Sequence, residues 1–309
     1  MQLRQALNAA VEQLTSARVP SPRMNAELLI MFTLDCDRAH LYAYPERELS
    51  PDEMRRYDEA LARRATGIPA QYITGHQEIW GLDLIVSPAV LIPRPETEHV
   101  VEAVLELASS VGLPRGQKQS QNQNQHQQPR AGAPAPHNLR IVDVGTGSGA
   151  IALALAKELP TAEIYATDIS PAALEVARAN AARHELSSRI GFRVGDLLKG
   201  FPSSYFDIVV SNPPYVGDSE EDSVQLEVRK FEPRNAVFAG PTGIEVIERL
   251  IAQAHAALVP GGLLVFEISG TIAGRVRSLL AGWNEVAIRN DLQGIARVAM
   301  ARKPARTAI

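Results

Sequence analysis

The apolar run Ile208-Val209-Val210 ends in Asn212-Pro213-Pro214-Tyr215. Proline stops the hydrogen-bond ladder of a strand and fixes its own φ, so the step after this run is rigid. A carboxamide, a backbone carbonyl and an aromatic ring are thereby offered in one geometry. Asn212 Oδ1 and the Pro213 carbonyl can each accept one N–H of a planar NH2 group, and Tyr215 can stack on its plane. Such a nitrogen is a poor nucleophile because its lone pair is delocalised. Two acceptors would hold that lone pair toward an electrophile, and their bonds strengthen as positive charge builds on nitrogen. Hydride transfer has no use for this arrangement; methyl transfer to an NH2 group does, and it needs neither a metal nor a covalent intermediate.

A second chemical stretch is "IVDVGTGSGAIALALA", where Gly145, Thr146, Gly147, Ser148 and Gly149 fall between strand-like and helix-like residues. Ala150 completes the G-x-G-x-x-A pattern. Asp168, ending the next strand-like segment, can accept from both hydroxyls of a ribose. Together these point to an adenosine-containing cofactor. NAD and S-adenosyl-L-methionine both suit the ribose carboxylate, but only NAD brings a pyrophosphate for the helix N-terminus. Asp143, just before the glycines, would repel a pyrophosphate and could reach the α-ammonium of S-adenosyl-L-methionine. In "GDLL", Asp196 could accept from an adenine amino group, or merely cap a turn, and Leu197 could pack on the ring.

Positioning these residues requires alternating elements. Strands are expected at "RIVDV", "EIYATD", "IGFRV", "FDIVVS", "LLVFEI", "EVAIRN" and "ARVAMA", with helices near 149–158, 171–184, 243–258 and 271–281. Such alternation predicts an α/β fold, a seven-stranded doubly wound sheet with helices on both faces. The strand before Asn212 then ends beside the strand before Gly145, at the switch point where ligands bind. Residues 1–75 read as a helical bundle. Ser21-Pro22 and Ser50-Pro51 look like helix starts, Glu53 completes a capping box with Ser50, and Gly67 is a stop. Residues 76–95 suggest a linking β-hairpin around Gly81, leaving 96–309 as the catalytic domain. Within it, 115–138 is rich in Gln, Asn, Pro and Ala and is expected to be a disordered insertion.

Bulk properties narrow the function classes. The chain has 309 residues, enough for two domains, and a formal net charge of −4 that exerts no general pull on nucleic acid or anionic membranes. No lysine occurs in residues 1–75 and no basic stripe is evident. The single Cys36 excludes an intrachain disulfide and a cysteine-cluster metal site. The N-terminus lacks a signal-like h-region, and no membrane-spanning run exists. A cytoplasmic monomer is expected, without metal, membrane or direct nucleic-acid binding.

With "QYITG", "LIPRPETE", "DVGTGSGAIALALA", "SNPPYV" and "EVRKFEPRNAVFAG" in this order, the chain resembles the protein N5-glutamine methyltransferases of the HemK type. The resemblance implies a Rossmann-like class I methyltransferase domain, with residues 1–75 serving substrate recognition. It also implies methyl transfer from S-adenosyl-L-methionine to the glutamine of the Gly-Gly-Gln motif in class I peptide chain release factors, which modulates translation termination. Cofactor contacts are implied at 145–149, Asp168 and Leu197, and glutamine contacts at Asn212, Pro213, Pro214 and Tyr215. Arg94 is a further candidate for the substrate side, or only a hinge; Glu232-Pro233-Arg234 is expected to shape the substrate mouth. "FEISGTIAG" at 266–274 departs from the histidine-glycine turn usual in that family. A glutamine of a ribosomal large-subunit protein is an alternative substrate that shares "NPPYV". N6-methylation of adenine in DNA or RNA is a further one, a regulatory module that has lost catalysis another, and a nicotinamide dehydrogenase the last.

Overall fold

The computed structural model describes residues 1–110 and 138–305. The N-terminal part comprises α1 (Leu3–Ser16), α2 (Pro22–Leu34), α3 (Arg38–Ala43), α4 (Pro51–Ala65) and α5 (Ala70–Thr74). Apolar residues at helical spacing drive it together: Leu3, Leu7, Leu14, Leu29, Ile30, Tyr57 and Leu61 share one core. Helix α4 opens with the expected capping box, Ser50 Oγ accepting from Glu53 N at 3.2 Å and Glu53 Oε2 from Ser50 N at 2.8 Å. Helix α2 starts at Ser21-Pro22 as expected, but without a side-chain cap. Ser21 takes a left-handed conformation (φ +46°) and its hydroxyl caps nothing. Asn25 Nδ2 donates instead to the Pro20 and Ser21 carbonyls.

Strands β1 (His76–Ile79) and β2 (Leu82–Ile85) form an antiparallel hairpin. Trp80 and Gly81 both have positive φ, the geometry of a two-residue turn whose twist matches its strands. The hairpin is tied to the large domain by Asn180, which accepts from Ile85 N at 2.7 Å and donates to its carbonyl at 3.0 Å.

After α6 (Glu98–Ser110) come β3 (Arg140–Val144), α7 (Ala150–Glu158), β4 (Glu163–Asp168), α8 (Pro171–Arg183), β5 (Ile190–Val194) and β6 (Phe206–Ser211). A small pair not anticipated, β7 (Val216–Gly217) and β8 (Phe238–Gly240), brackets α9 (Leu226–Phe231) and α10 (Arg234–Val237). The chain ends in α11 (Glu245–Ala257), β9 (Leu258–Glu267), α12 (Ala273–Leu279), β10 (Asn284–Asn290) and β11 (Ala296–Arg302). All seven expected strands join one sheet in the order β10-β11-β9-β6-β3-β4-β5. Pairs within β9-β6-β3-β4-β5 are parallel; β11 runs antiparallel to β9 and β10. Alternate side chains serve opposite faces, as the strand period demands. Ile141, Ile208 and Val210 pack under α6 and α7, while Val142, Val209 and Leu264 pack under α11 and α12.

Strand order reverses between β3 and β6, which pair in register from Ile141↔Ile208 to Val144↔Ser211. The loops after these two strands therefore emerge side by side. The Gln-rich stretch expected to be disordered at 115–138, with His126 and His137, lies outside the described residues except for its last position. Among the described residues no helix is long and apolar enough to cross a membrane.

Candidate functional site

The loop after β3 folds back on the sheet edge, Gly145 N and Thr146 N donating to the Thr167 carbonyl at 2.8 and 3.0 Å. Asp168 ties the next strand end to this loop. Its Oδ2 accepts from Gly147 N and its Oδ1 from Ser170 N, both at 2.9 Å. Burial pushes its carboxyl above the ordinary range, and these N–H groups oppose that shift. Each oxygen retains acceptor capacity, since a carboxylate has about four lone-pair sites. Over this floor lies a cavity of about 520 Å³. Gly145, Thr146, Gly147, Ser148, Asp168, Asp196 and Leu197 all contribute to its wall. A Cβ on Gly145 or Gly147 would meet no atom within 4 Å, so the open space over the loop is where a ligand can approach its backbone.

Two expected cofactor contacts fall elsewhere. Asp143 is 1% exposed and turned beneath the loop, where Oδ2 accepts from Thr146 Oγ1 at 2.6 Å and Ala152 N at 3.1 Å. It braces loop to helix instead of facing the cavity, and burial raises its pKa to about 7. Gly149 is a packing glycine: at φ +87° its Cβ would lie 2.8 Å from Leu153 Cδ1. Asp196 reaches the cavity, but its carboxylate is engaged by Arg249 across the mouth, with Lys199 at 3.5 Å. Those cations answer the charge that a free adenine acceptor would have kept.

The corner after β6 divides this cavity from a second of about 390 Å³. Asn212 and Pro214 line both; Pro213, Tyr215 and Arg94 line the second. Asn212 Nδ2 donates to Thr97 Oγ1 at 3.0 Å, and Thr97 Oγ1 donates to Glu267 Oε2 at 2.8 Å. Tyr215 OH donates to the other oxygen of Glu267 at 3.2 Å. Thr97 and Glu267 are 3% and 1% exposed. Burial raises the Glu267 pKa against these two hydrogen bonds, and burial beside Glu267 raises that of Tyr215. Arg94 pairs with the buried Glu232, which also accepts from Ile92 N at 3.1 Å. Glu232 thus anchors the wall of the mouth from behind, Pro233 lines the first cavity, and Arg234 turns outward to Asp218 and Glu221.

Helix α9 carries the outer wall of the second cavity through Gln225, just before it, and Val228. Arg64 of α4, 3% exposed, donates to Glu227 Oε2 of that helix at 2.6 Å and to Asn25 Oδ1 at 2.7 Å. The N-terminal bundle is therefore fastened to the wall of this cavity.

Sequence reasoning passed over Thr97, Glu267 and Arg249. A signal existed for Glu267, an acid closing the otherwise apolar strand segment "LLVFE". Thr97 had none, because its partners lie 115 and 170 residues away in the chain.

Comparison with known proteins agrees with this architecture. Residues 5–75 match the PrmC N-terminal domain and residues 132–230 the methyltransferase small domain. The chain is 51% identical over 305 residues to a release factor glutamine methyltransferase of Koribacter versatilis (strain Ellin345), covering 98% of this chain and 99% of that protein. It is 42% identical over 279 residues to one of Moorella thermoacetica (strain ATCC 39073 / JCM 9320), covering 90% and 89%. Among solved structures, the hMettl16 catalytic domain in complex with MAT2A 3'UTR hairpin 6 shares the fold. Its TM-score is 0.53 at 15% identity, over 81% of this chain and 84% of that one.

Proposed function

The chain belongs to the release factor glutamine methyltransferase family, and from that premise we propose how its two cavities divide the work. It transfers a methyl group to the side-chain amide nitrogen N5 of the glutamine in the Gly-Gly-Gln motif of class I peptide chain release factors. The first cavity takes S-adenosyl-L-methionine, whose sulfonium supplies the methyl. Asp168 accepts from the ribose hydroxyls, Leu197 packs on the adenine, and the Gly145–Ser148 backbone faces the amino-acid end. The open space above Gly145 and Gly147 and the spare acceptor sites of Asp168 fit that ligand.

The second cavity takes the glutamine side chain. Asn212 Oδ1 and the Pro213 carbonyl accept its two N–H groups, and Tyr215 covers its plane. The nitrogen is thus held where the cavities meet. With the cofactor bound, the methyl would pass from its sulfonium to that nitrogen, leaving the thioether S-adenosyl-L-homocysteine, and one N–H proton would be released to solvent water, giving the N5-methyl amide. The two acceptors favour the transition state because positive charge grows on that nitrogen. Arg94, held by Glu232, lies on the wall where the rest of the substrate loop would pass. Residues 1–75, fastened through Arg64 to that wall, are assigned to recognising the release factor.

The observation that carries this reading is the placement of Asn212 in the walls of both cavities. The test is direct. Purified protein with tritiated-methyl S-adenosyl-L-methionine is expected to label a class I release factor and to leave unlabelled the same factor with its Gly-Gly-Gln glutamine changed to alanine. Equal labelling of both would overturn the substrate assignment, and labelling only of a ribosomal large-subunit protein would replace it.

A further inference from the structure

An asparagine side chain can present either its oxygen or its NH2 to a ligand, and only the oxygen suits a substrate nitrogen that must donate. What decides the orientation of Asn212 is not in the corner itself. We propose that Thr97 and Glu267 are positioning residues for Asn212: their buried relay turns the amide oxygen toward the cavities, so that the site takes a nitrogen bearing N–H donors and refuses a carboxylate. The proposal rests on the glutamine methyl-transfer reading and adds the residues that impose its specificity.

The hydrogens available at this relay fix the orientation. With Glu267 ionised, its Oε2 accepts the one hydroxyl hydrogen of Thr97 at 2.8 Å. Having donated, Thr97 Oγ1 can only accept, and Asn212 stands 3.0 Å away with Nδ2 toward it. The amide is planar, so Oδ1 must point to the opposite side, and Asn212 contributes to the walls of both cavities. Turning the amide over would bring two acceptors together. The alternative, rotating the hydroxyl away, would strip a hydrogen bond from a carboxylate that is 1% exposed. Burial makes that loss costly, since no water replaces the donor. The second oxygen of Glu267 accepts from Tyr215 OH, so one carboxylate sets both ends of the segment 212–215.

The two residues reach this position for structural reasons. Glu267 is the last residue of β9, which pairs with β6 up to Ser211↔Phe266, immediately before Asn212. Thr97 closes the short turn Pro95–Thr97, held by its own N–H to the Arg94 carbonyl at 3.0 Å. Thr97 reaches the wall of the first cavity and Glu267 that of the second, and the role assigned to both is exerted through their bonds to Asn212 and Tyr215.

Thr97→Val keeps the shape and removes the hydroxyl. Its kcat for the release factor is expected to fall roughly tenfold or more, with cofactor Kd unchanged and Thr97→Ser restoring the rate. In an Asn212→Ala background the same Thr97→Val change should cost nothing further. An equal loss in both backgrounds, or an unchanged rate in Thr97→Val alone, would overturn the relay. A release factor carrying glutamate in place of the glutamine should compete poorly with substrate on the wild-type enzyme and better on Thr97→Val.

A readout without substrate separates this proposal from the functional reading. The side-chain NH2 resonances of Asn212, assigned by their absence in Asn212→Ala, should exchange slowly with solvent in the wild-type protein and quickly in Thr97→Val. Fast exchange in the wild-type protein would sink the relay even if the enzyme methylates release factors. Slow exchange with no labelling of any release factor would keep the relay and reject the substrate.

Discussion

The glycine loop after β3 and the proline corner after β6 sit side by side, yet they are held by opposite means. The loop is tied by partners close in sequence: Asp168 to Gly147 and Ser170, and Asp143 to Thr146 and Ala152. Most of those bonds use backbone N–H groups, so the residue types matter less than the turn they allow. The corner has rigid backbone of its own, but the orientation of its side chains comes from Thr97 and Glu267, on other elements. A loop built on backbone suits a ligand recognised by shape and by a few acceptors. A corner built on remote side chains suits a step in which one atom must point one way.

That contrast breaks most visibly at Asn212. Asn212→Ala is expected to lower kcat on the order of 10²-fold or more, the scale of one lost transition-state hydrogen-bond partner, while cofactor affinity measured by titration stays near wild type. Loss of cofactor binding would assign Asn212 to the loop's side of the division. A smaller effect is expected at Asp168. Asp168→Ala removes an acceptor for ribose hydroxyls and leaves Gly147 N and Ser170 N without partners. Cofactor Kd should rise roughly ten- to a hundredfold, about 1.4 to 2.7 kcal/mol, with a milder change in kcat at saturating cofactor. A fall in kcat at unchanged Kd would contradict the division.

The smallest effect concerns stability alone. Asp143 has its pKa raised from 3.8 to about 7, chiefly by burial. The folded state therefore keeps a proton that the unfolded chain has released between about pH 4 and about pH 7. Its contribution to stability is full below that window and is lost as pH rises through it, at no more than about 1.4 kcal/mol per pH unit. Asp143→Asn removes the titration, so denaturant unfolding at about pH 5 and about pH 8 should show the variant gaining on wild type as pH rises. A parallel pH dependence of the two proteins would mean that Asp143 stays ionised across the window.

Much of this was legible in the chain. Strand and helix positions followed from period and punctuation, and all seven strands formed where expected: the inner ones are apolar runs that burial on two faces leaves few other places to go, while the edge strands β5 and β10 stay largely exposed. The hairpin was readable from the residues around Gly81, and the α4 start from Ser50 and Glu53. Ser21-Pro22 marks the start of α2 as the sequence indicated, but Ser21 turns left-handed and its hydroxyl makes no cap bond, while Asn25, one turn on, donates to the carbonyls of Pro20 and Ser21. Asp143 was misplaced for a related reason: its spacing from the glycines fits a ligand contact equally well as a brace under the loop.

Taken alone, the amino-acid order determined the sheet, the adjacency of the two chemical loops and the residue types each would offer. Those properties come from local propensity and from hydrophobic period, both of which act over a few residues. Folding in three dimensions decided that Thr97 and Glu267 meet beneath Asn212, that Arg249 answers Asp196, and that Arg64 fastens the helical bundle to the cavity wall. Arg249 meets Asp196 at the exposed rim, whereas the Thr97, Glu267 and Arg64 pairings join buried or half-buried polar groups from distant segments. Such pairings are chosen by which groups the packed core strands away from water and leaves to satisfy one another, and no spacing rule along the chain carries that information.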